Sequence, residues 1–197
     1  RAPKSGDNEP RILFSGDHLY ALYKPPGWTV AAQNTERDLE MDDVASGGRP
    51  LQDWLASNLG LNCPIALDAR RQHGAVHRLD RGTSGILLCA RTYQGYYEAQ
   101  LCFAARRVTK DYLCLCHGHV AGIFPRLLEA PLQVMGRPGA RRSAASAGGL
   151  RACTELLAAA KLIGPEGDRL SLVWVSLHTG RLHQIRAHLS NEGHSLV

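Results

Sequence analysis

The spacing of apolar residues changes several times along this chain, and the order of those changes is what limits the fold. "RILFSGDHLYALYKPPGW" holds two short extended runs, Ile12 to Phe14 and Leu19 to Tyr23, split by a turn at Asp17 and closed by Lys24-Pro25-Pro26-Gly27. "LQDWLASNLG" sets Leu51, Trp54, Leu55 and Leu59 at the three-four spacing of an amphipathic helix, with Gly60 placed to end it. Ile86 to Ala90 read as a buried strand, and Thr92 as the N-cap of a helix with Tyr93, Tyr97, Leu101 and Ala104 on one face. "DYLCLCHGHV" and "RLSLVWVSLH" are strands, Thr179-Gly180 is a turn, and "RLHQIRAHLSNEG" is a short helix ending at Gly193. Strands come first, then strand and helix in mixed succession, without a regular βαβ period or a repeat. That order predicts an α+β fold.

At 197 residues and 44% hydrophobic composition, the chain can bury one sizeable core, so a single catalytic domain over 11–197 is expected behind a disordered leader at 1–10. "NTERDLEMDDVASGGRP", near 34–50, is an acidic loop insertion, and the stretch near 131–152 is a basic loop or hairpin. The end at "EGHSLV", with no polar tail, reads as a truncated C-terminus. A net charge of +5 and a pI near 9.0 favour an acidic partner, of which nucleic acid is the commonest for a basic domain. Six scattered cysteines lack the spacing of a secreted disulfide scaffold and read as reduced, mostly buried thiols. Cys114, Cys116, His117 and His119 fall in an extended run whose alternate residues face opposite ways, so no metal is expected. No run is long and apolar enough to span a bilayer and no signal peptide opens the chain. An intracellular protein off the membrane is expected, its compartment left open.

Chemistry concentrates in "HGAVHRLDRGTSGILLCART" and in the last helix. If residues 76–80 are extended, Arg78 and Asp80 share a face beside a glycine-flanked turn, and a near arginine keeps the aspartate ionised for nucleophilic or basic work. Turning about 100° per residue from Leu182 puts Ile185 at about 300°, Leu189 at about 340° and Arg186 at about 40°, inside the apolar sector. A guanidinium facing a core must find a carboxylate or a ring of acceptors, and Asp80 is the natural partner, although a carbonyl edge would also serve. Arg181, His183 and His188 flank the sector and make this end of the chain cationic.

"HRLDRGTSGILLCA" resembles the signature of the RluA-type pseudouridine synthases, and "KPPGW", "RRVTKDYLCLCHGHV" and "HTGRLHQIRAHLSNEGHS" match the family in its order. The resemblance covers residues 11–197, weakest across 34–50 and 131–150. It implies a mixed, mainly antiparallel central sheet with flanking helices and a central cleft. It also implies isomerisation of a uridine in RNA, tRNA or rRNA, by a monomer needing no cofactor. On it Asp80 is the catalytic aspartate, Tyr112 packs on the uracil and assists proton loss from C5, and Arg186 pairs with the aspartate. Arg78 fills the helix stack as the base leaves it. His77, Lys110, Arg181 and the loop arginines Arg137, Arg141 and Arg142 are expected on RNA. The chain departs from the family at Gly193-His194-Ser195, where Gly-His-Pro is usual. Two other readings are an RNA-binding protein of this fold without catalysis and a His/Asp hydrolase. The second lacks both a Gly-x-Ser-x-Gly elbow and a second placed carboxylate.

Overall fold

The computed structural model describes residues 8–30, 48–137 and 140–197, and the chain divides into two compact units, Arg1–Ala105 and Arg106–Val197. It is an α+β protein whose main sheets are antiparallel. Most of the expected acidic insertion and residues 1–7 of the expected leader lie outside the described residues. Asn8 to Pro10 are not a loose tail: the Trp28 indole donates to the Asn8 carbonyl at 2.9 Å, Glu9 pairs with Arg49 at 3.0 Å, and Pro10 is buried.

In the first unit, β1 (Arg11–Ser15), β2 (Leu19–Lys24) and β5 (Gly85–Ala90) form a three-stranded sheet in that order. The tight Gly16 turn sets the hairpin register, and a bulge at Leu13 breaks it once. Strand period two then divides β2: Tyr20, Leu22 and Lys24 are buried, opposite Cys89, Leu87 and Gly85. Two-residue strands β3 (Trp28–Thr29) and β4 (Arg49–Pro50) pair in parallel and lead into α1 (Leu51–Leu59). This helix buries Leu51, Leu55 and Leu59, as its spacing predicts. Gly60 closes it in right-handed conformation instead of the left-handed one a C-terminal glycine usually takes. A Cβ there would run into the backbone carbonyl oxygen of Ala56, so space is what requires glycine.

The helix α2 (Tyr93–Ala104) starts where expected, with Thr92 Oγ1 accepting from Gly95 N at 3.1 Å. Its buried face is not the expected one. Tyr93, Tyr97 and Leu101 are 45%, 49% and 69% exposed, while Gly95, Tyr96 and Ala99 are buried. Small residues decide this: a Cβ at Gly95 would lie 2.8 Å from His18 Cβ, so the glycine side allows a close approach that the bulky side could not make. Ile65, Val76, Ala90, Tyr96 and Ala99 then form one core, with Leu19, Leu88 and Phe103 against it.

In the second unit, β6 (Asp111–His117), β11 (Arg169–Leu177), β10 (Thr154–Ile163) and β7 (Arg126–Leu128) make a four-stranded antiparallel sheet in that order. One face buries Cys114, Cys116, Leu156, Val173 and Val175 beneath Leu189 of α3 (Gln184–Asn191). The other face leaves Leu113, Leu115, Leu172 and Trp174 exposed. Cys114 and Cys116, two apart on one strand, share the buried face, whereas His117 lies on the exposed one. Gly193, at φ +84°, ends α3 with its N–H on Ser190 O and the next N–H on Leu189 O, a double bond pattern that only a left-handed residue closes cheaply. The basic stretch is an antiparallel hairpin of β8 (Leu132–Met135) and β9 (Arg142–Ala145). All six thiols are free, and four of them are buried. No helix among the described residues is long and apolar enough to cross a membrane.

Candidate active site

Asp80 stands on a backbone braced from two sides. Ahead of it, Ala75 bridges to Cys89, Val76 N donates to Leu88 O at 3.2 Å, and Leu88 N donates to His77 Nε2 at 2.9 Å. In that last bond the His77 ring replaces a carbonyl at the edge of β5, with Phe103 5.1 Å away, so the fold uses one ring nitrogen of this residue expected on RNA. Behind Asp80, Thr83 N closes a turn onto Asp80 O at 3.0 Å, and Arg81 O accepts from Gly27 N at 2.8 Å and from Lys24 Nζ at 3.4 Å. Leu79 is buried, while Arg78 and Asp80 are both half-exposed, as alternation along an extended segment requires.

Lys24 is a residue that motif reading missed. Its side chain is 0% exposed, and its ammonium donates to Pro25 O at 3.1 Å and Trp28 O at 2.8 Å as well as to Arg81 O. A buried ammonium requires such acceptors, and here they fasten the Pro-Pro-Gly loop and the segment after Asp80 to one point. The signal was available: Lys24 occupies the buried phase of β2 after Tyr20 and Leu22.

Tyr112 lies in β6 opposite Val175, half-buried against the core that α3 also covers. Burial pushes the Cys114 thiol up to about 11, with the Arg186 guanidinium pulling the other way, so Arg186 lies within electrostatic reach of the strand that carries Tyr112. Arg186 itself is exposed, which corrects the helical projection. The projection ran unbroken from Leu182, but His183 is left-handed at φ 49°, and the helix starts only at Gln184. Its buried side chains are therefore Gln184, Ala187, His188 and Leu189, and Arg186 points away from them. His188, expected as part of a cationic flank, is 1% exposed and structural.

Lys110 precedes β6 and accepts from Leu177 N through its carbonyl at 2.9 Å. Burial, then repulsion from Arg106, holds its ammonium below the usual lysine range, an environment that an anion would relieve. Arg181 is partly committed, with Nε on Arg151 O at 3.1 Å. Arg137, Arg141 and Arg142 gather at the distal end of the β8–β9 hairpin, whose root is fixed by paired bonds between Leu132 and Leu150. Asp80, Arg78 and His77 thus belong to the first unit, and Tyr112, Lys110, Arg181, Arg186 and the hairpin arginines to the second. Among the described residues no cluster of His, Cys, Asp and Glu is arranged to hold a metal ion.

The profile of a family described as RNA pseudouridylate synthase matches residues 18–191. The chain is 30% identical to RNA pseudouridine synthase 5 of Oryza sativa subsp. japonica, over 94% of this chain and 49% of that protein. It is 31% identical to ribosomal large subunit pseudouridine synthase D of Zymomonas mobilis subsp. mobilis, over 99% of this chain and 58% of that protein. The chain spans about half the length of these curated relatives. Among solved structures, Human RNA Pseudouridylate Synthase Domain Containing 1 is similar with a TM-score of 0.69 and 25% identity, over 100% of this chain and 70% of the other. With the motifs in order, the antiparallel sheets they build and a family match from residue 18 to residue 191, this chain belongs to the RNA pseudouridylate synthase family, in its RluA-type branch.

Proposed function

We propose that the chain isomerises uridine in RNA to pseudouridine, with Asp80 acting on a nucleotide turned out of its helix. The observation that carries this reading is a half-exposed carboxylate on a turn held by backbone and Lys24 bonds, within the span that matches the family. In the reaction the N1–C1′ bond breaks, the uracil rotates, C5 joins C1′, and the C5 proton is lost as N1 gains one. Atoms and charge balance within the nucleoside, so the chemistry needs no redox partner. Attack of Asp80 on C1′, attack on C6, and removal of the C2′ proton all require the ionised carboxylate.

Arg186 pairs with that carboxylate, Tyr112 packs on the uracil and assists proton loss from C5, and Arg78 takes the place of the extruded base. Lys110, Arg181 and the hairpin arginines Arg137, Arg141 and Arg142 hold phosphates of a tRNA or rRNA.

The test is pseudouridine mapping across total RNA incubated with the protein or with Asp80→Asn. We expect sites that appear only with the wild type, while RNA affinity of the variant stays within about twofold, since shape is kept and only the anion is lost. Retained turnover by Asp80→Asn refutes the assignment. RNA binding without new sites for the wild type favours a non-catalytic RNA-binding protein of this fold.

A further inference from the structure

The second unit contains a continuous polar chain that the proposed chemistry does not use. Thr179 Oγ1 accepts from Cys153 N at 2.9 Å and donates to Gln184 Oε1 at 2.7 Å, and Arg181 N donates to the same oxygen at 3.0 Å. Gln184 Nε2 donates to Cys153 O and to Thr154 Oγ1, both at 2.9 Å. His188 Nδ1 lies 2.9 Å from Thr154 Oγ1, and His188 Nε2 lies 2.9 Å from Ala130 O. Gln184, Thr154 and His188 are 2%, 0% and 1% exposed.

The bonding set fixes the direction of every proton. Ala130 O can only accept, so Nε2 carries the imidazole proton. In the neutral ring Nδ1 can then only accept, so the Thr154 hydroxyl donates to it while its oxygen accepts from Gln184 Nε2. All four hydrogen-bonding positions of the Gln184 amide are filled. Such a network, fully satisfied and centred on three buried side chains, has one geometry and strongly resists partial disruption.

We propose that Gln184, Thr154 and His188 are positioning residues that set Arg186 and the basic hairpin together. This rests on the reading of Arg186 and the hairpin arginines as active-site and RNA-binding groups. Gln184 and His188 are four residues apart and pinned to one side, so Arg186, about 200° around the helix from each, is aimed at the opposite side. Ala130 lies immediately before the hairpin, whose Leu132 packs with Ala152 and with Ala187 of α3. A helix rotation of about 10° would move a guanidinium held about 7 Å from the axis by roughly 1 Å, a displacement that can cost about a hundredfold in rate.

Two substitutions test this in the full chain. Thr154→Val is isosteric and removes only the hydroxyl, whereas Thr154→Ser keeps the hydroxyl and loses the methyl group. With Thr154→Val we expect kcat to fall about tenfold or more, KM to rise several-fold, and the amides of Leu132, Ser146 and Leu150 at the hairpin root to exchange faster. Thr154→Ser should return all three readouts to within about twofold of wild type. A residue that only stabilised the fold would lower the melting temperature and leave kcat and KM unchanged well below it.

Should Thr154→Val fail to fold, His188→Asn keeps an acceptor for Thr154 but lacks the donor to Ala130. It should raise KM and hairpin exchange while kcat holds. Wild-type kinetics and wild-type exchange in the variant that folds overturn the proposal. If the wild type makes no pseudouridine, the functional reading fails by itself, and the exchange comparison alone then decides whether the network holds the hairpin.

Discussion

Replacing Lys24 by Met tests whether the buried ammonium clamp holds the first unit together. Methionine fills nearly the same volume, so packing changes little, while the donations to Pro25 O and Trp28 O at 3.1 and 2.8 Å are lost. Arg81 O keeps a partner, because Gly27 N still donates to it at 2.8 Å. Two carbonyls of buried residues are therefore left without this donor, at about 1–3 kcal/mol each, and relief from burying an ammonium offsets part of that cost. The net expectation is a loss of about 2–4 kcal/mol. At a urea slope of about 2 kcal/mol/M, the midpoint should fall by about 1–2 M, followed by the fluorescence of Trp28, which the clamp touches. Far-UV circular dichroism at zero urea should be unchanged. A midpoint within about 0.25 M of wild type would refute the reasoning and make the lysine replaceable by any chain of its shape.

Tyr112→Phe should keep the ring packed against the core but slow pseudouridine formation by about a hundredfold or more if the phenol assists C5 deprotonation, and rates within a few-fold of wild type would leave Tyr112 a packing role. Replacing Arg137, Arg141 and Arg142 together by Ala should weaken RNA binding and flatten the log–log salt dependence by about two units, measured between about 50 and 200 mM salt, whereas an unchanged slope would remove the hairpin from the RNA path. Burial holds the Cys89 thiol up at about 12 and that of Cys114 at about 11, so between the unfolded thiol value of 9.0 and those values the folded state retains protons that the unfolded state releases. Stability from these two groups is thus complete below about pH 9 and declines as pH rises toward 12. The check is the urea midpoint across that range for Cys89→Ala and Cys114→Ala, which should slope less than wild type.

Local chemistry alone settled much of this protein. Period two in β2 and β11, three-four spacing in α1, the Thr92 cap and the Gly193 stop are all decided within a few residues, by which backbone groups a side chain or a left-handed residue can satisfy. The motif around Asp80 was legible for the same reason, since a turn and its flanking strand need only neighbours in sequence.

What tertiary structure decided involves partners far along the chain. The run Glu155–Lys161, rich in Leu and Ala with Glu and Lys at its ends, has a helix-forming composition, yet it lies in β10 because β11 offers it backbone partners along its length, with β7 adding partners on the other side at Glu155 and Leu156. Helix α2 buries the side that carries Gly95 because His18 is close enough to demand a glycine, a fact about residue 18 that the helix sequence does not contain. His77 became a strand partner because Leu88 presented an N–H to it. Arg186 was placed in the wrong sector because one left-handed residue, His183, reset the helical phase, and the inward side was then chosen by Thr154 and Ala130, 30 and 58 residues away from their partners Gln184 and His188. Periodicity reports which residues share a face. Which face turns inward is settled by the buried donors and acceptors it must meet, and those come from elsewhere in the chain.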